Sequence, residues 1–483
     1  MSAARRSSAG AAVLASLALA LALALAVAPA AAATAAPPAG ATQFTTADAV
    51  DGGGPLDLVE VTMGQRDVRM TLRIVTTGPW DSEELTSVAG RELCITLLSG
   101  ESGRARARIC VARRAGRTAL DLTPLAPDGT ALAPRVLAAD PARPQPNVVE
   151  LTFLPAAAGL SIGPFAWFAD SAWIDEGACA ATCRDRAPDS GTVAAEAVLL
   201  AVAPCYGAAA RDPRRPCDNP ALRNTVEPPP ERGKVIVDPL CDTVQHVGLV
   251  TACSFGAMPK EAVRTFALIG DSHAANLKSA VSVLTLAKRW RGVSIFRSGC
   301  PLTRGTPILP SAQRSRQCRE WNHQTLAWLA RHPEVDTVFL STHTGARVRA
   351  TGGRSDAEAI HHGYREVIRA LRRMHRRVVV VRDTPPFTLE RLRCVSRAIA
   401  AGRRAQTACT RPRSEAVRSD PLVTAARSVG SSKVRVIDLT RQFCDSRRCF
   451  AVIGGALVRH DESHLTQAFS ATLGPFILRS LDA

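Results

Sequence analysis

From residue 241 to the C-terminus, short apolar runs alternate with longer stretches of helical periodicity. The runs fall at residues 266–269, 293–296, 337–340, 378–381 and 434–437, and the helical patterns at 274–290, 318–331, 356–374 and 414–428. Strands separated by helices need crossover connections, so the pattern predicts a parallel sheet covered by helices on both faces. Each run ends in a polar or glycine-bearing loop, and in such a sheet these loops gather at one edge. That edge is expected to hold Ser272, Gly299, the stretch Ser341-Thr342-His343-Thr344, and Asp383.

The first half has a different period. Residues 41–203 contain alternating or apolar runs at 56–63, 67–75, 92–98, 105–112, 119–125, 147–154 and 191–202, separated by Gly, Pro, Asp and Ser. About seven strands at that spacing predict an all-β, sandwich-like domain. Trp80, Trp167 and Trp173 could stack on sugar rings, although burial is the commoner fate of Trp in a sandwich. Asp48, Asp51 and Asp57, with Asp185 and Asp189, offer hard oxygen ligands for calcium; acidic β-loops are also common without it. Residues 204–240, rich in Pro and Arg and holding Pro228-Pro229-Pro230, are expected to form a linker.

Residues 1–36 stand apart from both halves. Arg5 and Arg6 precede a long Ala/Leu/Val run, and small residues near 31–36 offer cleavage positions, the layout of a secretory signal peptide. The run is long enough for an uncleaved membrane anchor as the alternative. Export agrees with the cysteines, 14 in all. They fall into near couples: Cys94 with Cys110, Cys179 with Cys183, Cys205 with Cys217, Cys241 with Cys253, Cys300 with Cys318, Cys394 with Cys409, and Cys444 with Cys449. Seven local disulfides in a secreted or envelope-associated protein is the simplest expectation. Only Cys179 and Cys183 have zinc-like spacing, and no second couple follows, so no metal or cofactor is expected. The formal net charge of +17 points to an anionic envelope polymer or membrane surface, and no nucleic-acid-binding motif accompanies it.

Two short motifs carry the candidate chemistry. At 266–276 an apolar run ends in Gly270-Asp271-Ser272 and passes into helix-forming residues, which places Ser272 on a strand-to-helix turn beside unpaired N–H groups. Near the C-terminus, Asp461-x-x-His464 supplies an imidazole and a carboxylate that one turn of chain can bring onto its second ring nitrogen. Alone, Gly-Asp-Ser is common; with the strand before it, the helix after it and the distant Asp-x-x-His, it predicts a nucleophile, base and orienting acid. His273 is read as a surface residue on the rim.

On these residues the segment from about 241 to 478 resembles the SGNH (GDSL-type) hydrolase family. It is most similar to the extracytoplasmic SGNH domains attached to bacterial membrane O-acyltransferases. The likeness rests on Gly270 to Ala274, Cys300-Pro301, Cys318 with Trp321-Asn322, Cys444 with Cys449, and Asp461 to Thr466, where Thr466 replaces the more usual Ser. It implies a three-layer, flavodoxin-like α/β domain over 241–483, with Ser272 as nucleophile, His464 as general base and Asp461 as orienting carboxylate. It also implies an oxyanion hole from the Ser272 and Gly299 backbone N–H groups. The family's Asn donor after the third strand is missing: the chain reads Leu340-Ser341-Thr342-His343, and the Thr342 or His343 region is the weaker substitute.

The implied reaction passes through an acyl-enzyme on O-acyl groups of envelope carbohydrate. Water as acceptor makes an esterase; a sugar hydroxyl makes an O-acyltransferase, which would need a membrane acyl-donor partner or an exported donor. The alternative from another class is a noncatalytic glycan-binding or adhesive protein on a degenerate SGNH scaffold.

Overall fold

The computed structural model describes residues 42–85, 90–174, 179, 182–234, 240–350 and 353–483. The leader predicted over 1–36 lies outside the described residues.

The first half is all-β. Its strands are β1 (Thr42–Ala47), β2 (Leu58–Arg66), β3 (Arg69–Thr76), β4 (Glu92–Ser99), β5 (Ala105–Arg114), β6 (Arg117–Pro124), β7 (Arg135–Val136), β8 (Ala139–Gln145), β9 (Val148–Phe153), β10 (Gly163–Trp173), β11 (Cys183–Ala187) and β12 (Val193–Ala197). One antiparallel sheet runs β1-β2-β3-β9-β8, and the other β11-β10-β4-β5-β6-β7 with β12 also on β10. Alternate residues such as Val61 and Met63 of β2 and Leu93, Ile95 and Leu97 of β4 bury into one shared core. Trp80, Trp167 and Trp173 are all buried there, with Trp80 Nε1 donating to Thr76 Oγ1 at 3.1 Å, so none presents a sugar-stacking face.

The second half contains β13 (Thr243–Val247), β14 (Val250–Gly256), β15 (Arg264–Gly270), α1 (Ser272–Asn276), α2 (Lys278–Lys288), β16 (Trp290–Phe296), α3 (Ala312–Arg331), β17 (Val335–Ser341), α4 (Asp356–Arg373), β18 (Arg377–Val381), α5 (Leu389–Ala400), α6 (Ala405–Ala408), β19 (Thr410–Pro412), α7 (Arg413–Ala416), α8 (Pro421–Ser428), β20 (Val434–Ile437), α9 (Thr440–Phe443), three short strands β21 (Arg448–Phe450), β22 (Val452–Ile453) and β23 (Ala456–Leu457), and α10 (Gln467–Asp482). The main sheet has the order β13-β14-β16-β15-β17-β18-β20. The last five of these are mutually parallel. The β13–β14 hairpin adds to β16 antiparallel, so the sheet is mixed rather than wholly parallel. The hairpin escaped the pattern because every residue of β13 is exposed, which leaves no buried face to give a period.

Strand β15 sits inside this sheet between β16 and β17, which explains its unbroken apolar run. Its alternate side chains serve two cores. Phe266 and Leu268 pack on the α2 and α10 side with Val281, Phe469 and Leu473. Ala267 and Ile269 pack on the α3, α4 and α8 side with Trp321, Leu329, Ile368 and Leu422. The first of these cores is continuous with that of the all-β half, and residues 39–483 form one compact unit.

Residues 204–234 are packed into this unit, not strung out as a tether. Tyr206 and Leu222 are buried, the Tyr206 hydroxyl donates to the Glu227 carbonyl at 3.0 Å, and Glu227 pairs with Arg66 at 3.0 Å. All seven expected disulfides are formed. The Cys179–Cys183 couple is one of them, which removes its zinc reading, and the full set fits an oxidising, extracytoplasmic setting.

Candidate active site

The turn after β15 depends on Gly270. Its φ of 156° lies where L side chains are strained, and a Cβ there would run into the Ser341 carbonyl oxygen on β17 and the Ala274 side chain. Next, Asp271 caps α1: its Oδ1 accepts from the His273 N–H at 2.9 Å. Its Oδ2 accepts from Thr342 Oγ1 at 2.8 Å and the His343 N–H at 2.9 Å. One buried carboxylate thus ties the turn that carries Ser272 to the loop after β17.

Ser272 opens α1, and its Oγ lies 2.7 Å from His464 Nε2. On the other side of the ring, His464 Nδ1 is 2.7 Å from Asp461 Oδ2. A carboxylate accepts there, so the ring proton sits on Nδ1 and Nε2 is free to take the serine proton. The local chain folds onto the same carboxylate: Asp461 Oδ1 accepts from the N–H groups of Ser463 at 2.8 Å and His464 at 2.7 Å. Burial pushes the Asp461 carboxyl up, but the hydrogen bonds from the His464 ring and these N–H groups outweigh it and hold it well below the usual carboxylate range. Immediately afterwards Thr466 caps α10, accepting from the Phe469 N–H at 3.3 Å, so the Thr in place of Ser does the capping work.

A second acid–histidine pair lies alongside. His273 is 6 % exposed, not a surface residue, and its Nδ1 is 2.6 Å from Asp383 Oδ1. Its ring stands 5.3 Å from that of His464 and 4.6 Å from that of His343. Position 273 is the first residue after the nucleophile on a helix whose other face is sheet, so it points inward; a lone His in sequence does not reveal that. Burial lowers the His273 pKa, but Asp383 outweighs it and raises the net value. Asp383 is correspondingly lowered, burial being overcome by His273 and by the Thr344 N–H at 2.8 Å. His343 is pulled down by burial and by its neighbour His273.

Arg459 is completely buried and bonds Thr384 Oγ1 at 2.6 Å and the Ser463 carbonyl, which bolts the Asp461–His464 segment to the loop after β18. Burial pulls its pKa down to about 10, so it stays charged at neutral pH. The ring of His460 stacks on that of His464, centroids 5.7 Å apart. Sequence reasoning missed Asp271, His273, Arg459 and His460 as site residues; a fully buried arginine in particular goes against the usual preference of that side chain.

Gly299 lies in the loop after β16 with a φ of 68°. That loop is fixed by the Cys300–Cys318 disulfide and by buried Asn322, whose amide donates to the carbonyls of Pro301 at 3.1 Å and Thr303 at 2.9 Å. Among the described hydrogen bonds, the backbone N–H groups of Ser272 and Gly299 have no acceptor. The Thr342 hydroxyl and His343 N–H are both spent on Asp271, which removes them as oxyanion donors.

Beside Ser272 opens a cavity of about 460 Å³, the size of a small-ligand site. It is lined by Phe296, Leu465, Leu240, Ser298, His460 and His464. Arg69 and Leu154 of the all-β half also line it, so that half helps form the site. Among the described residues, His460, Asp461 and His464 have ligand atoms close enough to share a metal ion, as do Asp48, Asp185 and Asp189, and Asp51, Asp57 and Asp185. In the acidic group, burial and the neighbouring carboxylates raise Asp48 to about 7.

A family model described as the SGNH domain (fused to AT3 domains) matches residues 240–479. Among solved structures, the periplasmic domain of a lipopolysaccharide acetyltransferase from Salmonella ser. Paratyphi A is similar at 16 % identity and a TM-score of 0.36, covering 46 % of this chain and 85 % of that one. No curated protein matches significantly. Through residues 240–479, which hold Ser272, Asp461 and His464, this chain belongs to the SGNH family of domains allied to bacterial membrane O-acyltransferases.

Proposed function

We propose that this protein is an exported serine esterase or O-acyltransferase that handles O-acyl groups of envelope carbohydrate through an acyl-enzyme. The observation that carries the reading is the continuous chain from Ser272 Oγ through the His464 ring to Asp461, with both links 2.7 Å long. Ser272 Oγ attacks the acyl carbonyl carbon as His464 Nε2 takes its proton, and Asp461 holds the ring and stabilises its positive charge. The backbone N–H groups of Ser272 and Gly299 receive the oxyanion. Collapse expels the alcohol, which takes the proton from His464. Water or a sugar hydroxyl then gives its proton to His464 and attacks the acyl-serine, and His464 returns that proton to Ser272 Oγ as acid or a new ester leaves.

Transfer from a membrane partner and simple hydrolysis share every step but the last acceptor, so one test covers both. Purified protein should release p-nitrophenol from p-nitrophenyl acetate, and Ser272→Ala should abolish that release. Equal rates for the two proteins would favour a noncatalytic glycan-binding role on the same scaffold.

A further inference from the structure

The cavity beside Ser272 is apolar along much of its wall, yet cations reach it from outside the SGNH segment. Arg69 begins β3, directly after the tight turn Asp67-Val68 whose Asp67 has a φ of 52°. From this position Arg69 lines the cavity. Arg69 is partly buried, and its Nε is shielded from solvent with no hydrogen-bond partner. Among the described residues no carboxylate comes within 4.0 Å of it; Asp67 and Asp140 act on it from farther away. Most arginines beside it in the chain behave differently: Arg66 is paired with Glu227, and Arg73 with Glu60 and Glu150. Exposed Lys234 lines the cavity as well. A partly buried guanidinium with a shielded Nε and no carboxylate in direct contact is well placed to take an incoming anion, and its planar fork suits a carboxylate or phosphate.

We propose that Arg69 and Lys234 form an anion subsite beside Ser272, so that the acylated carbohydrate this site takes is an acidic one bearing a carboxylate or a phosphate. The proposal rests on the esterase or transferase reading for its substrate, but the subsite is a binding property that can be measured without turnover. A neutral sugar would leave the guanidinium without a direct partner, whereas an acidic sugar would pair with it while its ester lies at Ser272 Oγ. Arg69 of the all-β half and Lys234 of the 204–234 segment then act together as a selector, beside Lys278 at the start of α2, and the SGNH segment contributes the chemistry.

The test uses the full chain carrying Ser272→Ala, titrated by calorimetry at low salt with glucuronate, glucose 6-phosphate and glucose. At least one acidic sugar is expected to bind tenfold or more tightly than glucose, and the pair tells carboxylate from phosphate recognition. Adding Arg69→Gln should bring that preference below about twofold with an unchanged circular dichroism spectrum. Should Arg69→Gln fail to fold, Lys234→Gln at an exposed position should still cut the preference at least threefold. Equal binding of all three sugars, or a preference that survives both substitutions, would overturn the subsite. Ester hydrolysis by the wild type with no acidic preference would reject the subsite alone; an acidic preference with no hydrolysis would reject the catalytic reading alone.

Discussion

Replacing Asp461 by Asn changes one oxygen to an amide nitrogen and should invert the His464 ring. In the native site Asp461 Oδ1 accepts two backbone N–H groups, and Oδ2 accepts the Nδ1 proton. An asparagine satisfies the two backbone donors with its carbonyl oxygen, which turns its NH₂ toward Nδ1. Nδ1 must then act as acceptor, and the single proton of the neutral ring moves to Nε2, where it faces Ser272 Oγ 2.7 Å away. The base is thereby lost without loss of shape. In serine hydrolases of this design the tautomer error costs about 10⁴ in kcat, or about 5.5 kcal/mol of transition-state stabilisation. Asp461 is 42 % exposed, so little stability should go with it. Stopped-flow or steady-state hydrolysis of p-nitrophenyl acetate at pH 7.5, beside thermal melting, reads both effects. A variant within tenfold of wild-type kcat would refute the reasoning, because the ring would then not depend on that carboxylate.

Two further outcomes follow from the surrounding structure. The buried His273–Asp383 pair has its histidine pKa raised, so its contribution is fully present below the unfolded value near 6.5 and fades as pH rises through the folded one. Asp383, being lowered, loses its share only in acid. His273→Gln should therefore cost about 3 kcal/mol by urea unfolding at pH 6 and less at pH 9, and a gap that widens with pH would contradict this. Removing the Cys300–Cys318 disulfide by a double Ser substitution opens a loop of sequence separation 18 and should cost about 3 kcal/mol, with a fall in kcat because the Gly299 loop hangs on it. A loss under about 1 kcal/mol with full activity would show the loop to be held by other means, Asn322 first among them.

The parts of the molecule that were readable in the chain are those where burial and period agree. β15, β16, β17 and β18 carry apolar runs because most of their residues are buried between packed layers, and β20, the last strand of the sheet with only Ile437 buried, also lies where the alternation places it. Seven cysteine couples were legible because each bridges only 4 to 18 positions. Features set by tertiary context were not. β10 pairs with β4, β11 and β12, yet Gly163, Pro164, Asp170 and Ser171 break its apolar signal. β8 holds Pro141 and Pro144, tolerable because it is the last strand of its sheet. The helix expected over 414–428 is cut in two because Asp420 caps a new helix at Pro421. At the site, Ser272, Asp461 and His464 were visible from their motifs. The residues that hold them, Asp271, Asp383 and Arg459, act across 71, 110 and 75 positions of chain, where no local pattern reaches.

Reaction of the full-length protein with a fluorophosphonate, read by intact mass and peptide mapping, tests the central claim most directly. An activated Ser272 is expected to take up one equivalent at that residue, with labelling lost in His464→Ala. Label elsewhere, or none on native protein, would contradict an account built on the contact between Ser272 and His464.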